Sequence, residues 1–295
     1  MGFGQVNSTF LKYWIALFTP PVVIKIYKKL FFNPEIVTQP EKKYGWFGKF
    51  ESFDEVKKEA KGYEDQLIFN KALQSVMAVK KGKASFERDT VLFYKEEFIW
   101  PVVTCILHAH SQSKNQLQII DFGGAFGSTY FQNRKFFSHL DNWKWTVVEQ
   151  PHFVKTGKEQ LQDEHLHFAI NLEECYEASK KPILLLSSVL QYIENPYECI
   201  KYLLNFDFEH IIIDRNAFLQ SEEERITIQK VPPEIYDASY PCYFFSESKF
   251  LNAFMEQYYL FAEFPSSTDN DGLTDDGIRI YWKGFYLIRK PKNET

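Results

Sequence analysis

The segment that most constrains the fold is 119–127, IIDFGGAFG, in which a short apolar run leads directly into a cluster of glycines. Gly123, Gly124 and Gly127 are three of the chain's 13 glycines and fall within five residues. Glycines at a strand-to-helix turn let the backbone approach a ligand and aim free N–H groups of the helix N-terminus at it. The segment therefore predicts a parallel α/β sheet with a ligand at its carboxyl edge, against the alternative of a tight turn without a ligand.

The chain after Gln116 has the alternation of apolar and amphipathic segments that such a sheet requires. Short β-branched and apolar runs alternate with amphipathic stretches, which predicts strands at 117–121, 144–149, 165–169, 182–187 and 209–214. Beyond these, three prolines indicate an irregular insertion, 246–258 predicts a helix, and 259–264 and 284–289 predict two closely spaced strands. The expected fold class is α/β, a Rossmann-like, mostly parallel sheet that ends in an antiparallel hairpin.

The first part of the chain has mainly helical signals. A linker is expected at 39–48, and Ser52 followed by Glu55 is a capping-box pattern that predicts a helix start. Further helices are expected at 65–79 and 101–110. We therefore predict a helical N-terminal extension and cap over 1–110 and a Rossmann-like domain over 111–295.

Composition excludes several classes of protein. A chain of 295 residues, 45% of them hydrophobic, can bury a large core without disulfides or metals. Its four cysteines are far apart in sequence, which favours a reducing, cytoplasmic compartment over a disulfide framework or a zinc site. A net charge of -5 argues against nucleic acid as the principal partner.

The N-terminal segment is locally basic and apolar. Residues 1–34 contain four lysines and no acidic residue, but Pro20 and Pro21 interrupt an apolar stretch that is too short to span a bilayer. Residues 10–32 could pack on the domain as a helical cap, or lie as amphipathic helices on the inner membrane surface. We expect no transmembrane span and no signal peptide.

Two cofactor classes compete for the glycine turn. A dinucleotide fingerprint GxGxxG would need glycine at position 122, which is Phe. The other frame, an acid followed by GxGxG, fits Asp121, Gly123 and Gly127, with Ala125 in place of the middle glycine. In this frame the chain resembles the class I S-adenosylmethionine-dependent methyltransferases, which have the sheet and reversed hairpin expected above.

The resemblance implies S-adenosylmethionine (SAM) as the cofactor and assigns residues to it. The turn would wrap the methionine part, Glu149 in VVEQP would accept both ribose hydroxyls, and the segment SSVLQYIENP would line the cofactor sulfur. Gln191 stands where many members have His, so histidine-assisted proton transfer is not supported there. The implied cofactor-binding residues are Asp121, Gly123, Gly124, Ala125, Gly127, Glu149, Gln150, Ser187 and Ser188.

A narrower resemblance covers most of the chain. The strings GWFGKFESFDEVKKEAKGYEDQLI, VVEQP and SSVLQYI are similar to methyltransferases found alongside bacterial surface-polysaccharide genes. This implies methyl transfer to a small-molecule or lipid-linked saccharide acceptor. Two alternatives stay open: a nicotinamide-dependent oxidoreductase, and a non-enzymatic partner in polysaccharide assembly, which a cleft filled by Phe122 or Phe126 would support.

Candidate catalytic residues are few. Methyl transfer from a sulfonium is an in-line displacement, so alignment matters most and a base is needed only for a hydroxyl or a protonated amine. His152, Tyr192 and Asp214, together with Arg215 and Asn216, are the candidates near the carboxyl edge.

Two further clusters have a structural and a functional interpretation. Tyr44, Trp46 and Phe47 could stack on a sugar ring but more often such aromatics anchor a cap. The acidic stretch 269–276 lacks the ligand spacing of a calcium loop, so we expect a solvated hairpin loop and no metal site.

Overall fold

The computed structural model describes residues 43–60, 66–113, 116–235, 237–269 and 271–291. Residues 43–295 group into one compact unit. The N-terminal segment 10–32, for which membrane contact was considered, lies outside the described residues. The expected domain division at residues 110 and 111 stays a prediction.

The described chain contains seven α-helices and thirteen strands. In chain order these are β1 (Gly45–Phe50), α1 (Phe53–Glu59), α2 (Gln66–Lys80), β2 (Phe86–Arg88), β3 (Val91–Phe93), α3 (Trp100–Gln112), β4 (Gln118–Phe122), α4 (Ser128–Asn133), β5 (Lys144–Val148), α5 (Pro151–Gln160), β6 (Leu166–Ala169), β7 (Ile183–Ser187), α6 (Pro196–Leu204), β8 (His210–Leu219), β9 (Arg225–Lys230), β10 (Ser239–Phe244), α7 (Glu247–Asn252), β11 (Tyr258–Pro265), β12 (Gly272–Leu273) and β13 (Arg279–Arg289).

The main sheet confirms the expected fold class. Its strand order is β11-β13-β8-β7-β4-β5-β6, with β4 to β8 parallel and β11 and β13 antiparallel, and β12 pairs with β13. β7 is buried over its first four residues because apolar core clusters cover both faces of the sheet. All five predicted parallel strands are present, and this Rossmann-like sheet ends in the predicted antiparallel hairpin.

The central strands run further than the sequence predicted. β8 pairs with β7 as far as Asp214, which lies opposite Ser187, and then continues for five more residues. Over these residues β8 pairs with the extended first part of β13. β13 begins at Arg279, five residues before the strand predicted at 284–289. The β8–β13 ribbon therefore overhangs the carboxyl edge of the parallel strands.

A second sheet occupies the region predicted to be irregular. β1, β9 and β10 form an antiparallel sheet. The linker expected at 39–48 is therefore a strand from Gly45 onward, and the insertion expected to be irregular contains β9 and β10, so both predictions were wrong there. Pro241 is accommodated because β10 is an edge strand of this sheet. Trp46 of β1 packs 4.9 Å from Trp282 and 5.9 Å from Phe244 between ring centroids, so it joins this sheet to the main sheet rather than anchoring a helical cap.

The helices follow their predicted signals with one exception. The Glu55 backbone N–H donates to Ser52 Oγ at 3.2 Å, which confirms the predicted cap of α1. α7 is half the predicted length, ending at Asn252. None of the helices in the described ranges is long and apolar enough to cross a bilayer.

Candidate functional site

A cleft of about 740 Å³ opens along the carboxyl edge of the parallel strands. The ends of β4 to β7 supply one wall, and α1 with β10 of the second sheet supplies the other. The lining residues are Phe53, Lys57, Phe122, Gly123, Val148, Glu149, Gln150, Pro151, Ile170, Ser188, Val189, Tyr192, Ile193, Tyr240 and Pro241.

The predicted glycine turn meets this cleft at Gly123, whereas Gly124, Ala125 and Gly127 are absent from its lining. Gly123 has φ +74°, its N–H donates to the Val148 carbonyl at 2.9 Å, and a Cβ there would lie 2.2 Å from Val189 Cγ2. Gly127 caps α4 with φ +83°. Ala125 also has a positive φ, 48°, a conformation that costs a non-glycine residue roughly 1–2 kcal/mol. The departure from the glycine pattern thus keeps the backbone shape that glycine would favour.

Asp121 lies beneath the turn. It is 1% exposed, and its Oδ2 accepts from Trp145 Nε1 at 3.0 Å, while its Oδ1 has no hydrogen-bond partner among the described residues. A Cβ on Gly124 would lie 2.5 Å from this carboxyl group. Burial raises the pKa of Asp121 to about 7, against the opposing effect of the Trp145 hydrogen bond.

Glu149 follows β5 and lines the cleft as predicted. Its Oε2 accepts from the Gln150 backbone N–H at 2.5 Å. Burial raises its pKa, although the N–H groups of Gln150 and Ala125 both favour the charged form. Glu149 is therefore a carboxylate held against the glycine turn by backbone donors.

The end of β7 is fixed by buried polar contacts. Ser187 Oγ donates to Asp214 Oδ2 at 3.2 Å, so Ser187 points to β8 and is absent from the cleft lining, whereas Ser188, with φ +55°, lines the cleft. Gln191 is fully buried, and its Nε2 donates to Ser188 Oγ at 3.0 Å and to the Arg215 carbonyl at 3.1 Å. Gln191 therefore holds Ser188 in place.

Of the three main catalytic candidates, the structure places only Tyr192 on the cleft wall. Tyr192 donates from its hydroxyl to Gln229 Oε1 at 3.1 Å and meets Tyr240 edge-on at 5.5 Å. Asp214 is 2% exposed, and burial raises its pKa to about 6. His152 is exposed on α5, 5.3 Å from the Phe69 ring, and does not line the cleft. Asp214 and His152 thus have no direct access to a ligand in this cleft.

Arg215 of β8 forms ion pairs with two peripheral segments, the β2–β3 turn and the loop after β11. Its Nε donates to Asp269 at 2.8 Å and its Nη2 to Asp89 at 2.9 Å, and its backbone has φ +54°. Asp89 and Thr90, the two central residues of the β2–β3 turn, also have positive φ. Strained backbone of this kind persists only where the surroundings enforce it.

The acidic stretch 269–276 is not simply solvated, which corrects that expectation. Asp269, Asp271 and Asp276 pair with Arg215, Arg279 and Arg225, respectively. These three ion pairs hold the loop to the sheet, because each carboxylate faces a guanidinium group. No group of three or more potential metal ligands occurs among the residues that the structure describes.

Glu87 of β2 is a buried carboxyl group beside α4. It accepts hydrogen bonds from Ser128 Oγ and, at 3.1 Å, from the Thr90 N–H. Burial raises its pKa to about 7, above the value of 4.5 expected for the unfolded chain. The protonated form is therefore favoured by folding, and this stabilisation is lost as the pH rises from about 4.5 through 7.

Glu87→Gln should weaken the pH dependence of stability. The amide oxygen can still accept from the Thr90 N–H, its NH2 group can donate to Ser128 Oγ, and the amide does not titrate. About 3 kcal/mol of the decrease in unfolding free energy between pH 4.5 and 8 should therefore disappear. Urea unfolding at several pH values measures this. The exposed Glu159→Gln serves as the control, and parallel pH profiles for parent and Glu87→Gln would contradict the assignment.

Sequence reasoning missed the far wall of the cleft. This wall consists of α1 and β10, which contribute Phe53, Lys57, Tyr240 and Pro241. On the other wall, Ile170 at the end of β6 was also missed; it is 46% exposed. Ile170 could have been found from its place at a strand end; the others carry no local signal. The aromatic cluster Tyr44, Trp46 and Phe47, proposed for sugar stacking, is absent from the described lining.

The comparisons with known proteins find similar structures only. No family model matches the chain, and no curated protein matches it. The chain is similar to the N-terminal domain of EvdMO1, in a crystal structure determined in the presence of S-adenosylhomocysteine (SAH) and D-fucose, with 8% identity, TM-score 0.43, and coverage of 74% of this chain and 97% of that chain.

Two further solved structures are similar to the chain. One is the Burkholderia thailandensis 1,6-didemethyltoxoflavin-N1-methyltransferase with bound 1,6-didemethyltoxoflavin and SAH (13% identity, TM-score 0.41, 78% of this chain and 92% of that chain). The other is magnesium protoporphyrin IX methyltransferase from Synechocystis PCC 6803 with bound SAM (11% identity, TM-score 0.41, 74% and 84%). At these low identities, what the cleft binds has to be inferred from its own residues.

Proposed function

We propose that this protein is a SAM-dependent methyltransferase that acts on a saccharide or saccharide-linked acceptor in bacterial surface-polysaccharide synthesis. One observation supports the cofactor most directly. Gly123 of the turn after β4, Glu149 after β5 and Ser188 after β7 line a single cleft at the carboxyl edge. Ligands of open α/β sheets bind at this edge.

The cleft fits such a cofactor in size and chemistry. Its volume of about 740 Å³ lies in the range of small-molecule sites. Gly123 leaves space against Val189 that a Cβ would fill. Glu149 supplies carboxylate oxygens for a pair of ribose hydroxyls.

Each cofactor-binding residue has a distinct part in this proposal. Gly123, Gly124, Ala125 and Gly127 cradle the methionine moiety, with Asp121 beneath them. Glu149 and Gln150 hold the ribose, and Ser188 lies at the sulfur. Ser187 acts indirectly, by holding Asp214 through its hydroxyl. SAM supplies an electrophilic methyl group, and the protein aligns the acceptor with it and excludes water.

Two alternatives have less support from the cleft. A nicotinamide cofactor would need glycine at position 122, and Phe122 lies on the cleft wall instead. A non-enzymatic protein with a filled cleft would have Phe122 or Phe126 side chains inside it. Phe126 is fully buried against Phe69 and Phe153, away from the described lining, and the cleft remains open beside Phe122.

Isothermal titration tests the cofactor. We expect SAH to bind the full chain with a dissociation constant on the order of micromolar. NAD⁺ and NADP⁺ titrated under the same conditions should not bind. Binding of a nicotinamide nucleotide without binding of SAH at millimolar concentration would favour the oxidoreductase instead.

The acceptor rests on the sequence resemblance and needs its own experiment. Transfer of labelled methyl from SAM to a panel of saccharides and lipid-linked saccharides, with peptides and small aromatic alcohols as comparison, separates the acceptor classes. Peripheral membrane contact through residues 10–32 stays a prediction.

A further inference from the structure

We propose that Asp121 and Asp214, two buried carboxyl groups on either side of β7, make the cleft select a cationic ligand over its neutral counterpart. Applied to the proposed function, on which this inference rests, the pair favours the sulfonium of SAM over the thioether of SAH. Asp121 and Asp214 would then be specificity-determining residues that act through charge, without touching the reacting atoms.

Strand order places the two carboxyl groups on either side of β7, near the carboxyl end of that strand. β7 lies between β4 and β8, with Asp121 paired to Leu185 and Asp214 paired to Ser187. Neighbouring strands are about 4.8 Å apart, so the two flanking backbones are about 10 Å from each other. The segment that would line the cofactor sulfur, beginning at Ser188, is the continuation of β7.

Both side chains leave the same face of the sheet. Ile119 and Ile212, two residues before Asp121 and Asp214, pack in the same core cluster together with Leu185 of β7. Because side chains two residues apart in a strand share a face, the two carboxyl groups lie at the top of one apolar layer. A charge bound above β7 would be felt by both through low-dielectric surroundings.

Asp121 contacts the glycine turn through its carboxyl group, and Asp214 contacts the cleft residue Ser188 through its backbone. The Asp121 carboxyl lies against Gly124, and the Asp214 backbone carbonyl accepts from the Ser188 N–H at 2.9 Å. Asp121 and Asp214 are 1% and 2% exposed. Each has few donors to stabilise its negative charge: Trp145 Nε1 for Asp121, and Ser187 Oγ with the Arg215 backbone N–H for Asp214.

The cations near the cleft are engaged by other carboxylates. Lys57, which lines the cleft, pairs with Glu194 and Asp54. Glu149 faces Asp121 and adds negative charge. Arg215 faces Asp214, but its guanidinium is paired with Asp89 and Asp269.

Burial places the titration of both groups near neutral pH. The pKa is raised to about 7 for Asp121 and to about 6 for Asp214. Cys105 is a further titratable group near Asp214, and burial raises its pKa to about 12, so it stays neutral in this range. A bound cation would favour the ionised carboxylates and release protons, whereas a neutral thioether would not.

The first test compares SAM and SAH affinities. These two ligands differ by one methyl group and one positive charge. Titrations at pH 7.5 should show tighter binding of SAM than of SAH to the parent. Asp121→Asn and Asp214→Asn should each weaken SAM binding by about 5- to 20-fold and change SAH binding less than about twofold, the range expected for one charge at about 8–10 Å. Asn keeps the shape and an acceptor for Trp145 or Ser187.

Asp163→Asn is the matched control. Asp163 accepts hydrogen bonds from the N–H groups of His165 and Leu166 just before β6, at the opposite edge of the sheet. The substitution removes the same charge and should leave the ratio of SAM to SAH affinity unchanged.

Proton release gives a second readout that does not depend on the variants folding. Titration of the parent at pH 6.5 in two buffers of different ionisation enthalpy should show more protons released by SAM than by SAH. Binding of both ligands with an unchanged affinity ratio in the Asn variants, or equal proton release by both ligands, overturns the inference and leaves the proposed function intact. Failure of both ligands to bind the parent overturns the proposed function itself.

Discussion

Gly123→Val should destabilise the protein by roughly 2–5 kcal/mol and abolish SAH binding. The substituted residue would keep φ +74°, which costs about 1–2 kcal/mol for a side chain with a Cβ. Its Cβ would also lie 2.2 Å from Val189 Cγ2, and relieving such a clash in a packed region costs about 1–3 kcal/mol more. Urea unfolding and SAH titration measure the two effects.

A control separates the clash from the backbone strain. Gly82 has φ +70°, and no heavy atom lies within 4 Å of the position that a Cβ would take there, so Gly82→Val carries the strain alone. We expect it to cost only about 1–2 kcal/mol and to bind SAH like the parent. If Gly123→Val is as stable as Gly82→Val and binds SAH normally, the close approach at Val189 is not required.

Glu149→Ala should weaken SAH binding by about 30- to 100-fold without unfolding the protein. In the proposed site the substitution removes a charged acceptor of the two ribose hydroxyls, and hydrogen bonds to charged groups contribute about 2–3 kcal/mol. Because burial raises the pKa of Glu149, the parent is also predicted to bind SAH less tightly at acidic pH, and the variant should lose that dependence.

The matched comparison is Glu164→Ala, an exposed acid at the opposite edge of the sheet. Its SAH affinity should equal that of the parent. A deoxyribose analogue of SAH provides a further check, because Glu149→Ala should discriminate against it less than the parent does. Equal discrimination by both would remove Glu149 from the ribose site.

The parallel sheet could be predicted because its strands are buried on both faces and therefore appear as continuous apolar runs. Ile183–Ser187 is the clearest case, and even the short 166–169 strand was located. The second sheet could not be predicted in this way. Its strands β9 and β10 mix polar and apolar residues and contain Pro241, which local rules assign to a turn.

The end of β8 was underestimated for a related reason. Asp214, Arg215 and Asn216 interrupt its apolar run, and polar residues normally mark a strand end. They are buried or nearly so, because the side chains of Ser187, Asp89 and Asp269 satisfy Asp214 and Arg215. Such compensation by residues distant in sequence is invisible to a local pattern.

In the candidate site too, residues at the ends of parallel strands could be predicted, whereas residues placed by pairing between distant segments could not. Gly123, Glu149 and Ser188 were predicted correctly to meet in space, since the carboxyl ends of adjacent parallel strands share one edge. Lys57 and Tyr240 were not, because their position depends on α1 and β10, whose placement is set by pairing between distant segments.

The pairing of β1 with β9 also bears on the order in which the molecule can assemble. Gly45 lies opposite Lys230, so the five parallel strands β4 to β8 of the main sheet are synthesised between the two partners. Closing so long a loop carries an entropic cost that is recovered only when the contacts form. The far wall of the cleft therefore cannot exist until the segment carrying β9 has emerged and folded. A nascent chain that has completed only β4 to β7 would hold the glycine turn and Glu149 but would present them on an open edge rather than in a cleft.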